Sequence, residues 1–204
     1  MGMDLTLFMA DWGWLGAVPV ESRTGLLEDA AWPEESDVLF SPGRERAHGW
    51  RSPPGPGAAW CAEYGFTTTT GAYAPHARAG DAWADTRLLV GPSVREPMDT
   101  FLDGLVWEAD PASTGGRGFL SPVVAGRLHR NILLACPPEA LPGKTRAWER
   151  VEPRLEELRA PFAAACEGWA GRPDTFEDFV ALLREWGDVT ATAARRGWGL
   201  VGLP

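Results

Sequence analysis

A chain of 204 residues, 45% hydrophobic and 23% charged, suits a single globular domain over 1–204, with enough apolar surface to fold without disulfides or metals. Its net charge of −9 excludes general affinity for nucleic acid, whose phosphates it would repel, and leaves room for a basic protein partner. Cys61, Cys136 and Cys166 contain no C-x-x-C pair, which excludes zinc-knuckle and thioredoxin-type chemistry. The opening MGMDLTLFMADWGWLGAVP lacks a basic leader region, and no apolar run approaches the roughly 18 residues of a membrane span, so a cytoplasmic chain with no membrane contact is expected. One lysine, one asparagine, one isoleucine and no glutamine, against 18 arginines, 24 glycines and 18 prolines, point to a high-GC genome of the actinobacterial kind. The arginine excess is therefore a coding bias and not a phosphate-binding signature.

In chain order, Met3, Leu5, Leu7 and Met9 alternate with Asp4, Thr6 and Phe8, the pattern of a strand with one buried face. A turn over Gly13 to Pro19 leads to a short helix over Glu21 to Trp32, closed by Pro33. Residues 33–57, rich in proline and glycine, read as a long loop. Trp60, Ala62, Tyr64 and Phe66 share one face of a further strand, followed by a threonine-rich turn and a loop ending at Pro75-His76. Gly80 to Val90 predicts a short helix presenting Trp83, Leu88 and Leu89. Ser93 to Glu96 resembles a capping box that confines Pro97 to a first turn, ahead of Met98, Phe101, Leu102 and Leu105 at helical spacing.

The run Asn131 to Cys136 predicts a strand buried on both faces. Trp148, Val151, Leu155, Leu158, Phe162, Ala165 and Trp169 form a helical stripe in which Pro153 and Pro161 open new segments. Asp174 to Glu177 caps a long helix ending at Arg195, Arg196 and Gly197, and Trp198 to Leu203 is a final strand. Strands at both ends and in the middle, with helices between, give an α/β or α+β chain: a small mixed sheet packed against helices, with a helix-rich C-terminal third.

Candidate chemistry starts in "AAWCAEYGFTTTTGAYAPH", which holds Cys61 and His76. A thiolate, a base and an orienting acid such as Asp81 would make a nucleophile site if the fold brought them together. Packing is the commoner role of a cysteine flanked by Trp60 and Ala62, and no family signature surrounds it. His48, His76 and His129 match no metal-binding spacing, and no phosphate loop or serine-hydrolase elbow is present, so no metal or cofactor is expected. Arg44, Arg46, His48, Trp50 and Arg51 concentrate cationic and aromatic groups that could bind an anion or a partner. Of eleven tryptophans, Trp148, Trp169, Trp186, Trp60 and Trp83 fall on expected inward faces, while Trp12, Trp14, Trp50 and Trp107 lie in or beside loops.

The C-terminal third resembles the YfbM-like family of bacterial proteins, whose function is unknown. An apolar strand is followed by Pro137-Pro-Glu-Ala and a helix ending Leu155-Glu-Glu-Leu-Arg-Ala-Pro-Phe162. An aromatic helix with Phe176, Phe179, Leu183 and Trp186 then runs into Ala193-Ala-Arg-Arg-Gly197 and a last strand. The resemblance spans about 70 residues; it implies an α/β fold and assigns no residue roles. Acidic charge, loop tryptophans and the absence of a catalytic signature together suggest a protein-binding module, of immunity type or regulatory. The alternatives are an enzyme with a pocket between the 44–51 loop and the 58–85 region, and a sugar-binding tryptophan platform.

Overall fold

The computed structural model describes residues 3–31, 48–52, 59–109, 116–120, 132–166 and 169–204. Strand β1 (Thr6–Ala10) is followed by the short helix α1 (Trp12–Gly16), whose first turn is capped by the Asp11 side chain accepting from Trp14 N–H, and by α2 (Val20–Ala31). Then come β2 (Gly49–Arg51), β3 (Cys61–Gly65), α3 (Ala74–Thr86) and α4 (Pro92–Leu102). The second half holds α5 (Arg117–Leu120), β4 (Leu134–Cys136), α6 (Leu141–Val151), α7 (Arg159–Cys166), α8 (Phe176–Arg196) and β5 (Gly199–Leu203). No helix among the described residues is long and apolar enough to cross a membrane.

The five strands form one sheet in the order β2-β3-β1-β5-β4, and its four pairings are antiparallel. The α+β alternative is thus the one realised, with helices concentrated in the C-terminal part; the sheet is not mixed, since its four described strand pairings are all antiparallel. Strand β1 pairs with β3 and β5, from opposite ends of the chain, and is buried on both faces. The alternation of Leu and Met with Phe therefore marks two covered faces, not one.

On one face Leu7, Met9, Ala62, Phe66 and Leu200 meet α3, α4, α6, α7 and α8. On the other Phe8, Ala10, Cys61 and Val201 meet Trp12 and Leu15 of α1, Leu27 of α2 and Leu120 of α5. Close approach is possible where β5 has no side chain: a Cβ on Gly199 would lie 2.2 Å from the Trp12 indole nitrogen.

Several boundaries differ from expectation for identifiable reasons. Helix α3 begins at Ala74 because Pro75 fits a helix's first turn, so Pro75 and His76 open a helix and do not end a loop. After Thr86 the chain tightens into a 3₁₀ turn (Arg87–Leu89), and Leu88 and Leu89 rotate out to 72% and 56% exposure. In α4 the N-cap is Gly91 with Pro92 in the first turn, so the expected box at Ser93 does not form and Pro97 lies inside the helix. Pro97 cannot donate to the carbonyl of Ser93, and that carbonyl accepts instead from Arg154 Nη1 at 3.2 Å.

The chain's only lysine, Lys144 in α6, is buried and donates through Nζ to the carbonyls of Thr100 (3.1 Å) and Asp103, closing the C-terminal end of α4. Helix α8 is capped one residue later than expected, by Thr175 accepting from Asp178 N–H at 3.0 Å, and ends at Gly197 with φ +68° as a left-handed cap.

Candidate functional site

The four threonines after β3 form a tight turn whose backbone reaches positive φ at Thr70 (49°) and Gly71 (88°). Glu185 of α8 clamps it, accepting from the N–H groups of Thr67 (2.7 Å) and Thr68 (3.1 Å) and from the Thr68 hydroxyl (2.5 Å). Burial opposes the Glu185 charge, but the Thr68 hydroxyl and the two backbone donors outweigh it and hold the carboxyl below its usual range.

Beneath the turn lies His76, 1% exposed, between Phe66 and Trp186. The indole N–H of Trp186 donates to His76 Nδ1 at 3.1 Å, and His76 Nε2 is 3.3 Å from Thr69 Oγ1. An indole can only donate, so Nδ1 carries a lone pair, the proton of the neutral ring sits on Nε2, and Nε2 donates to Thr69. Burial drives the His76 pKa down to about 4, against a smaller upward pull from Glu185. The ring is therefore neutral at pH 7 and offers Thr69 no proton acceptor.

This sets a pH dependence of stability. Between about 6.5 and 4 the unfolded chain binds a proton that folded His76 refuses, so stability falls as pH drops through that window, by on the order of 3 kcal/mol. Glu185, depressed in the folded state, adds a loss of the same sign as pH falls through its own folded value. Urea unfolding at pH 7 and pH 4 should show a smaller drop for His76→Gln than for the parent chain. An equal drop would mean that His76 is not the group responsible.

Cys61 does not join this cluster. Alternation along β3 puts it on the opposite face of the sheet, buried beside Phe8 and Val201, and burial pushes its thiol up to about 12. Asp81 is on the outer side of α3, exposed, with its carboxylate 3.7 Å from Arg172. The triad of Cys61, His76 and Asp81 is thus divided among two sheet faces and the surface, and no nucleophile–base pair is assembled.

Of the cationic loop, Arg44 and Arg46 lie outside the described residues. His48 is exposed, Trp50 is half-buried edge-on to Tyr64 at 4.9 Å, and Arg51 is paired across the strands to Glu63 at 2.6 Å. The 49–51 segment is an edge strand, not loop, and Arg51 is committed within the sheet. Among the described residues, no three of His, Cys, Asp or Glu converge where a metal ion could be held.

Elsewhere among the described residues, a concavity opens between α7 and the first turn of α8. A groove of about 720 Å³ is floored by Phe162, Ala163 and Phe176 and walled by Trp169 and Pro173. Phe162 is in ring contact with Phe176 (5.6 Å) and Phe179 (5.3 Å), which fixes the floor. Trp169, expected on the buried stripe, is 69% exposed. Helix α7 ends at Cys166, three residues before it, so the indole falls beyond the helix that would have buried it, and Gly171 (φ +85°) and Pro173 then turn the chain toward α8.

Ion pairs rim the groove. Arg159 is held by Glu156 and, at 2.8 Å, by Glu177, with its guanidinium 4.5 Å above the Phe176 ring. Arg172 is held by Asp85 at 2.7 Å and Asp81 at 3.7 Å. A smaller hollow of about 280 Å³ continues past Pro173 and Asp174 to Thr68, Thr69 and Arg78. Of the other tryptophans expected in or beside loops, Trp12 is stacked on Phe119 at 4.4 Å and Trp14, 41% exposed, on Trp60 at 4.6 Å, while Trp107 lies under the Arg87 guanidinium at 5.0 Å. No protein-family model, curated protein or solved structure matches the chain.

Proposed function

We propose that this chain is a protein-binding module, of immunity type or regulatory, and that it docks its partner in the groove between α7 and α8 with Trp169 as the anchor. The observation that carries this is a tryptophan 69% exposed at the wall of an apolar-floored groove of about 720 Å³. Exposing an indole to water is unfavourable, and tryptophan in such a setting is the residue type that most often supplies binding energy at interfaces. The groove falls in the size range of ligand and peptide clefts, and the charged rim around an apolar floor matches the anatomy of a docking surface. A histidine locked as a donor and a cysteine on the far face of the sheet lend no support to the enzyme alternative.

The test is affinity capture with the tagged full chain from the cytosol of its source cell, followed by titration of the captured partner. Trp169→Ala should weaken that partner by about 30-fold, the size of an interface hot spot near 2 kcal/mol. Its thermal midpoint should stay within about 2 °C of the parent, because the side chain is largely exposed. Undiminished binding by Trp169→Ala would remove the groove from the interface.

A further inference from the structure

The charges around the groove say which kind of segment it takes. Its two arginines are each held by two carboxylates: Arg159 by Glu156 and Glu177, Arg172 by Asp85 and Asp81. Arg172 places both Nε (3.0 Å) and Nη2 (2.7 Å) on one oxygen of Asp85, and Arg159 also covers the face of Phe176. An anionic ligand could recruit either guanidinium only by breaking charge-assisted bonds. The positive end of α8, which also opens here, is already met from within the chain: Glu177 and Asp178 occupy its first turn, and Thr175 accepts from Asp178 N–H. Counting the charged residues that line the groove and the hollow continuing it, together with the acids paired to their arginines, Arg78, Arg159 and Arg172 stand against Asp81, Asp85, Glu156, Asp174, Glu177 and Asp178, three positive charges against six negative ones and a local balance of −3. The whole chain, at −9, adds to the same field.

We infer that the occupant is a basic peptide segment of the partner, with an apolar side chain between arginines or lysines. This inference rests on the docking reading above and adds the chemistry of the bound segment. The apolar residue fills the space over Phe162 and Phe176. The flanking cations meet Asp174 on the rim, Asp81 beside Arg172, and the exposed indole face of Trp169, which attracts a guanidinium or ammonium. An acidic or phosphorylated segment meets surplus carboxylate, and the two arginines lining the groove itself, Arg159 and Arg172, are both in ion pairs.

The experiment is selection of a random peptide display library on the immobilised full-length chain. Kd is then measured by fluorescence anisotropy for an enriched peptide and for its version with every Arg and Lys replaced by Glu. Enriched sequences should carry Arg or Lys on both sides of an apolar residue, and the charge-reversed peptide should bind at least tenfold more weakly. Asp174→Lys should weaken the enriched peptide about tenfold and Trp169→Ala at least tenfold, and raising salt should weaken it further. Acidic or neutral enriched peptides that depend on Trp169 would overturn the charge inference and leave the docking groove standing. Basic peptides bound equally by Trp169→Ala, or no enrichment at all, would overturn the groove itself as a peptide site.

Discussion

Trp186→Ala is expected to lower the stability of the chain by about 4 kcal/mol, the range seen when a fully buried tryptophan is truncated in a packed core. Trp186 has no exposed surface, lies against Phe66 with ring centres 5.1 Å apart, and donates the hydrogen bond that His76 Nδ1 accepts. The alanine variant opens a cavity under the sheet and also leaves that nitrogen buried without its donor. Trp186→Phe separates the two effects, since most of the ring volume remains and the N–H is lost. It should cost roughly 1–3 kcal/mol, the penalty for orphaning a buried acceptor. Urea unfolding of both variants with unchanged m-values gives the comparison. A loss below about 1 kcal/mol for Trp186→Ala would show that the aromatic cluster does not hold α8 to the sheet.

The second large effect is expected at Gly80. This residue is buried in α3 where the turn after α4 crosses it, and a Cβ there would lie 1.9 Å from the carbonyl oxygen of Val106. On propensity alone, Gly80→Ala in a helix interior would stabilise by about 1 kcal/mol. The clash is with backbone, which cannot rotate aside as a side chain could, so α3 must shift away from the 103–107 turn. A net loss of about 3 kcal/mol is expected, at the upper end of overpacking effects. Gly25, which meets nothing within 4 Å in α2, provides the control: Gly25→Ala should be neutral or stabilising. A thermal midpoint for Gly80→Ala equal to the parent would mean that the helix and turn do not approach as described.

Both sites lie beside chemistry that looked possible from the sequence, and they show where sequence reading stopped. Cys61 and His76 are fifteen positions apart in a segment that could have folded as a hairpin with the two side chains together. Which face of β3 a residue takes follows from alternation, and that much was legible for Ala62, Tyr64 and Phe66 against Cys61; Trp60, expected on the Ala62 face, precedes the strand and packs with Cys61 on the other, stacked on Trp14. That α3 would then lay His76 on the Phe66 side depended on Glu185 and Trp186, more than a hundred residues away. Glu185 carries no local mark distinguishing it from a solvated helix carboxylate. The groove was half legible, because Gly171 and Pro173 signal the end of the stripe. Its floor needed Phe176 packed on Phe162 across the break.

By itself the sequence determined the elements whose evidence is local. The hydrophobic period of α8, with its Thr175 cap region and Gly197 terminus, the apolar runs of β4 and β5, and the helix-rich C-terminal third all follow from spacing and end chemistry within a few residues. Acidic charge likewise followed from composition and now colours the proposed docking groove. Only the tertiary structure decided that β1 is central and covered twice, that Leu88 and Leu89 turn outward, that Arg154 takes the carbonyl Pro97 leaves open, and that Trp169 stands in solvent while Cys61 and His76 face apart. Each of these depends on which distant segment arrives to cover a surface or complete a hydrogen bond, and one-dimensional periodicity records how much a residue wants burial but not what will bury it.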